Sequence, residues 1–265
     1  MKKLTALLLA LVMCLALAAC GKPATKTLVM GTSADYPPYE FYGDSALTEF
    51  AGIDVEVGRY IAESMGIELQ IENMAFENLV TSLGNGDFDM VIAACEWSED
   101  RAKSCDFSDP YYTDLPPVIL VKTENVDKFA TEDAINQSGV IIGAQKNTTK
   151  ANATADRFDA AADGMVLEAL VPTLVTELKN GTLDLLVLDG NVGKEYDEQN
   201  DDIVILEGVV DWGETEPYRV LVQKGDPKGL LEGINKAIAE LTANDGAKIA
   251  EIEEKVANTD VFMAG

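Results

Sequence analysis

Apolar residues recur at helical spacing, run into an Asn-Gly pair and give way to a short apolar stretch twice in this chain. Residues 79–89 read L-V-T-S-L-G-N-G-D-F-D and residues 174–184 read L-V-T-E-L-K-N-G-T-L-D, 95 positions apart. In the first copy Leu79, Val80 and Leu83 form the apolar helix face, and in the second Leu174, Val175 and Leu178 do so. The Asn-Gly pair ends each helix by supplying a residue that tolerates left-handed torsions. The runs that follow, residues 88–94 and 183–188, are almost wholly apolar, as parallel strands covered on both faces by helices require. The repetition predicts two matching α/β lobes. Ligands of open α/β sheets sit beyond the carboxyl ends of the strands, so residues 94–101 and Asp189 mark a cleft between the lobes.

The remaining periodicity fills in the same plan. Residues 27–30 predict a strand leading to a loop, G-T-S-A-D-Y-P-P-Y, that two prolines hold extended. Asp54 is placed to cap a helix carrying Val57, Tyr60, Ile61 and Met65, and Ile67, Leu69 and Ile71 alternate like a strand. Further strands are expected at 118–121, 140–142, 165–167 and 219–222, with a helix from about Thr149. The last quarter predicts a helix with Leu230, Ile234, Ala237, Ile238 and Leu241 on one face and a shorter one at 249–256. Strands alternating with helices imply a mainly parallel sheet in each lobe. No low-complexity linker separates the halves, so the two crossings fall within 113–116 and near 216–218, the layout of a hinge. Lobe 1 is accordingly expected to comprise residues 27–113 plus 217–265, and lobe 2 residues 114–216.

Composition narrows the function. Met1, Lys2 and Lys3 precede a near-continuous apolar run, residues 4–19, which ends at Cys20: a secretory signal, short for a membrane span. Its end, L-A-A-C-G, resembles the lipobox of bacterial lipoproteins, which implies lipidation of Cys20, an extracytoplasmic location and membrane attachment through a short tether, residues 20–26. The formal charge is −26, and −28 once Lys2 and Lys3 leave with a segment that holds no acid. That sign excludes nucleic acid as a partner. The chain has no histidine, which removes the usual general base, the usual zinc ligand and any Ser-His-Asp or Cys-His apparatus. Neither a catalytic residue, nor a metal site, nor a cofactor is expected. Cys14 leaves with the signal, and Cys95 and Cys105 bracket a predicted short helix, either as a disulfide or as two buried thiols.

With N-G-D-F-D-M-V-I-A, then E-D-R-A-K-S and S-D-P-Y-Y, and with the upstream Y-P-P-Y-E-F loop, the sequence resembles the family 3 extracellular solute-binding proteins of amino-acid ABC transporters. The resemblance spans nearly all of the mature chain. It implies a type II periplasmic-binding-protein fold, two lobes closing like a flytrap on an amino acid, and delivery to an ABC permease. A monomer is expected. By position, Arg101 matches the arginine that forks onto the ligand's α-carboxylate, a geometry suited to a guanidinium. Asp189 matches the second-lobe aspartate that takes the ammonium, although a helix N-cap role suits it equally. Asn147, Thr148 and Thr149 match the G-T-T whose helix N-terminus meets the carboxylate. Tyr36 and Phe76 match the aromatics that sandwich the ligand's aliphatic part, and Ala94 lies at the strand end beside them.

Two positions depart from that pattern. Glu96 stands where the family usually has Ser or Thr, and an extra carboxylate there favours a ligand richer in positive charge if it faces the cleft. Ser33 stands where binders of basic amino acids often carry an acid, which weakens a simple lysine or arginine assignment. A polar or basic amino acid is therefore favoured only slightly. Two other readings share the fold: an enzyme resembling cyclohexadienyl or arogenate dehydratases, for which Glu96 is the one unusual acid, and a sensor that presents its ligand to a receptor.

Overall fold

The structure, a computed structural model, describes residues 27–263. The expected signal, Cys14, Cys20 and the tether lie outside the described residues.

The chain opens with strand β1 (Thr27–Thr32), a small antiparallel hairpin of β2 (Phe41–Tyr42) and β3 (Phe50–Ala51), helix α1 (Ile53–Met65) and β4 (Glu68–Asn73). Helix α2 (Phe76–Asn85), β5 (Met90–Val91), the single turn α3 (Glu99–Ala102) and β6 (Cys105–Tyr112) follow. The chain then leaves for a second set: β7 (Val118–Lys122), α4 (Glu132–Ile135), β8 (Ile142–Gln145), α5 (Thr149–Arg157) and β9 (Val166–Glu168). That set ends with α6 (Val171–Asn180), β10 (Leu185–Leu188), α7 (Gly190–Glu198) and β11 (Ile203–Ile205). Strand β12 (Tyr218–Gln223) returns to the first set, and α8 (Leu231–Leu241) and α9 (Ala243–Ala257) close the chain. Asn244, Asp245 and Gly246 have left-handed torsions at the start of α9, so its regular part begins only after them.

Two five-stranded sheets result, ordered β4-β1-β5-β12-β6 and β11-β7-β10-β8-β9. Each is more mixed than the periodicity implied. The neighbours β4-β1-β5 and β10-β8-β9 are parallel, while β12 runs antiparallel to β5 and β6, and β7 antiparallel to β10 and β11. The cause is the exchange between lobes: β6 carries the chain out of the first sheet and β12 brings it back, so the two must run in opposite senses.

The repeated phrase has the same structure in both lobes. Helices α2 and α6 each bury two leucines, Leu79 with Leu83 and Leu174 with Leu178. Burying each such side chain contributes roughly 1.5–3 kcal/mol. Each helix ends on a left-handed glycine, Gly86 at φ 85° and Gly181 at φ 75°. Phe88 and Leu183, equivalent positions, lie on Gly31 of β1 and Gly143 of β8; a Cβ on either glycine would come within 2.4 Å of that side chain. The closing aspartates also match. Asp89 accepts the Val29 N–H at 2.7 Å and Asp184 accepts the Ile141 N–H at 3.1 Å. Each also pairs with a lysine, Lys228 at 2.5 Å and Lys128 at 2.8 Å.

Asp54 differs from its expected role. Gly52 is the N-cap of α1, and Asp54 lies inside the helix, fully buried. Its carboxylate accepts the Ala94 N–H at 2.6 Å and the Tyr111 hydroxyl at 2.6 Å. It therefore braces the strand end that opens into the cleft.

Candidate functional site: the cleft between the lobes

The carboxyl ends of the central strands of both sheets point toward one another. From the first lobe come Ser33, Tyr36, Phe76, Ala94 and Arg101; from the second come Thr148, Thr149 and Asp189, and all eight line one cavity. Glu96, the ninth predicted residue, is buried and reaches the same place through its carboxylate. The loop after β1 is held by its prolines and by a short bridge between Tyr36 and Glu40. Ala94 takes a left-handed φ of 45°, which its bond to Asp54 holds in place.

Arg101 sits in α3, where the Ser98 side chain caps the turn. Its guanidinium donates to the carbonyl oxygens of Glu96 at 2.9 Å and Asn147 at 3.2 Å, and it lies 5.2 Å from the centre of the Phe76 ring. Two of its five N–H groups, one on each terminal nitrogen, are thereby bound to backbone carbonyls, and the side chain lines the cavity. Phe76 thus presents its ring to the guanidinium. Across the cleft Thr148 caps α5 by accepting the Ala151 N–H, which leaves Thr149 in the first turn with its side chain toward the cavity.

Asp189 is the N-cap residue of α7 by position, yet its side chain makes no capping bond. Its Oδ2 accepts the Tyr36 hydroxyl at 2.7 Å, and its Oδ1 lies 2.5 Å from the Lys150 Nζ. The same ammonium is 2.6 Å from Oε1 of Glu96, whose Oε2 accepts the Thr149 hydroxyl. Lys150, Glu96 and Asp189 are all less than a tenth exposed. Burial pulls the Lys150 ammonium down, but Asp189 and Glu96 together carry it above its ordinary value. It is a buried cation held between two carboxylates.

A second group of acids lies beneath the cleft. Asp35 accepts the Ser33 hydroxyl at 2.8 Å on one oxygen, and on the other it accepts the Val171 N–H at 2.9 Å and the Gln145 amide at 3.4 Å. Burial pushes its carboxyl up to about 6, against the pull of the Val171 N–H and the Ser33 hydroxyl. Burial also pushes Asp54 up to about 6 and, with Asp54 beside it, Glu40 well above the ordinary carboxylate range. Asp114, at the first crossing, rises to about 6 through burial and the nearby Asp189. It accepts the Tyr218 hydroxyl from the returning strand at 2.9 Å and the Asn191 N–H at 3.2 Å, so one carboxylate ties together both crossings and α7.

Lys150, Asp35, Glu40 and Gln145 were not anticipated as part of this site. For Lys150 the local signal is weak: a cation in the first turn of a helix is disfavoured by the dipole, but nothing local points to Glu96 and Asp189 as its partners. Asp35 and Glu40 offered none, since acids in a loop are ordinary in so acidic a chain. Cys95 and Cys105 are both buried and stand as free thiols in one apolar cluster. The Cys105 thiol donates to the Arg101 carbonyl at 3.2 Å, so it braces the arginine's turn without a bridge. Trp97 is about half exposed and does not line the cavity. Among the described residues no group of three or more His, Cys, Asp and Glu is arranged to hold a metal ion, and no helix is long and apolar enough to cross a membrane.

Residues 28–258 match the model of the bacterial extracellular solute-binding proteins, family 3. The chain belongs to that family. It is 28% identical over 264 residues to the arginine-binding extracellular protein ArtP of Bacillus subtilis strain 168, covering 96% of this chain and 98% of that protein. It is 31% identical over 219 residues to a probable histidine-binding protein of Campylobacter jejuni, covering 82% of this chain and 80% of that one. Among solved structures it resembles an amino acid ABC transporter substrate-binding protein of Streptococcus pneumoniae bound to L-arginine. The TM-score is 0.80 at 26% identity, over 89% of this chain and 95% of that one. This solute-binding protein thus shares its two-lobed α/β fold with amino-acid-binding components of ABC transporters, and its family is extracytoplasmic.

Proposed function

We infer that the protein captures an α-amino acid in the cleft and delivers it to the permease of an ABC importer, without chemistry on the ligand. The observation that carries this reading is the arrival of Arg101 and Asp189, from opposite lobes, at one cavity. A guanidinium and a carboxylate brought to one cavity from opposite lobes suit the two charges of a zwitterion. Charge-assisted bonds of this kind contribute about 1.5–3 kcal/mol each. Thr148 and Thr149 add a helix N-terminus on the carboxylate side, and Tyr36 and Phe76 flank the aliphatic part. Residues 27–113 plus 217–265 act as one jaw and 114–216 as the other, turning about the crossings that Asp114 and Tyr218 join. Hinge closure then completes the contacts from the second jaw.

The protein works as a monomer held at the outer face of the membrane by lipid on Cys20. Metabolic labelling with a fatty acid, prevented by Cys20→Ser, tests the anchor. Native mass spectrometry of the freshly purified protein tests the ligand class: a 1:1 adduct with the mass of an amino acid is expected. An adduct of another class would contradict the reading. Arogenate turnover by the purified protein would replace it with the enzyme reading.

A further inference from the structure

Among the described residues, Lys150 is the one cation lining the cavity that has not been assigned a ligand contact. Its Nζ lies 2.5 Å from Asp189, 2.6 Å from Glu96 and 5.6 Å from the centre of the Tyr218 ring. Two carboxylates and an aromatic face are what a primary ammonium requires when taken from water. Glu96 belongs to the first lobe, whereas Lys150, Thr149 and Asp189 belong to the second. The ion pair from Lys150 to Glu96 and the hydrogen bond from Thr149 to Glu96 therefore span the cleft. The cavity that remains has a volume of only about 10 Å³, room for about one water. An amino acid cannot enter until the lobes part and Lys150 moves.

We propose that Lys150 is an internal latch: its ammonium occupies the place of the ligand's ammonium between Glu96 and Asp189, holds the two lobes together across the cleft, and competes with every ligand that enters. This rests on the reading of Asp189 as the ammonium acceptor. The latch has consequences for affinity and for selectivity. Apparent affinity falls by the fraction of protein that is latched, because only the opened form admits a ligand. Selectivity shifts as well. Once displaced, Lys150 still carries its positive charge on the first turn of α5 and offsets part of the negative charge of Glu96 and Asp189, which lessens what a basic ligand gains there. Without Lys150 the same site carries an uncompensated negative charge. A ligand with a second cationic group, such as arginine or lysine, then gains more than glutamine.

The test compares wild-type protein with Lys150→Met, both stripped of ligand by unfolding and refolding. Small-angle X-ray scattering reads the separation of the lobes, and isothermal titration with L-arginine, L-lysine and L-glutamine reads affinity. The ligand-free variant is expected to be more extended than wild type, to bind at least tenfold more tightly, and to gain more for arginine and lysine than for glutamine. A ligand-free variant with the scattering curve of wild type overturns the latch, and so do unchanged or weakened affinities. Extension of the variant with no amino acid bound by either protein upholds the latch and overturns the amino-acid reading instead. Should Lys150→Met fail to refold, Lys150→Gln, which keeps one donor and loses the charge, is expected to change both readouts in the same direction.

Discussion

The Tyr36 hydroxyl donates to Oδ2 of Asp189 across the cleft at 2.7 Å, with both residues buried. Two residues 153 positions apart, one in each lobe, thus meet at the centre of the site. Tyr36 orients the carboxylate and keeps one of its oxygens satisfied. Tyr36→Phe removes the donor while leaving the ring, and a hydrogen bond to a charged group contributes about 1.5–3 kcal/mol. Denaturant unfolding of the ligand-free protein is expected to show a loss of that order, and a loss below about 0.5 kcal/mol would show that the contact carries nothing.

Asp89 and Asp184 end the two copies of the repeated phrase and hold equivalent backbone N–H groups. Replacing either by Ala leaves a backbone donor without its side-chain acceptor, at a cost of about 1–3 kcal/mol. The two losses are expected to be similar and to add in the double variant within about 0.5 kcal/mol, because the sites share no partner. Urea midpoints of the two single variants and the double one check this.

The acids beneath the cleft set an unusual pH dependence. Asp35, Asp54 and Asp114 each titrate near 6 in the folded protein, above the ordinary aspartate value of 3.8. A raised acid favours the fold in its protonated form, so the stability it confers is complete below about pH 4 and is lost as the pH rises through 6. Each shift corresponds to roughly 2–3 kcal/mol. The melting temperature is expected to rise between pH 7.5 and about pH 5, with a smaller rise in Asp35→Asn, whose amide oxygen can accept from Val171 and Gln145 while its NH2 donates to the Ser33 Oγ, and which has no proton to gain. Glu56 works in the opposite sense: burial resists its charge, but Lys255 and Arg59 hold its carboxyl below the ordinary value, so its stabilisation fades at more acidic pH.

Burial pushes the Cys95 thiol up to about 11 and the Cys105 thiol up to about 12. Thiolate is the reactive form, so both are expected to resist alkylation in the native protein and to react on unfolding. Quantification with iodoacetamide before and after guanidinium distinguishes buried thiols from a disulfide, which would not react in either state without reductant.

Much of the fold was legible because its signals are local and repeated. The Asn-Gly pairs ended α2 and α6 where the pattern placed them, since a left-handed residue is needed there and glycine supplies it. The direction of β7 and β12 was not legible, because an antiparallel neighbour arises from the chain's passage between lobes and leaves no mark on an apolar run. The site divides in the same way. The stretch 94–101 and Asp189 follow from strand ends, whereas the choice of Arg101 and Tyr36 within the site comes from the family resemblance. Lys150 was overlooked because its meaning depends on Glu96, 54 positions earlier, and only the closed fold brings them together.

The central claim is that Arg101 and Asp189 bind the two ends of one amino acid. Isothermal titration of ligand-stripped protein with a panel of L-amino acids measures it most directly, with Arg101→Met titrated alongside. One saturable site for at least one amino acid is expected in the wild type, weakened at least a hundredfold in the variant. Amino-acid binding that survives Arg101→Met undiminished would contradict the account, as would no binding by the wild-type protein.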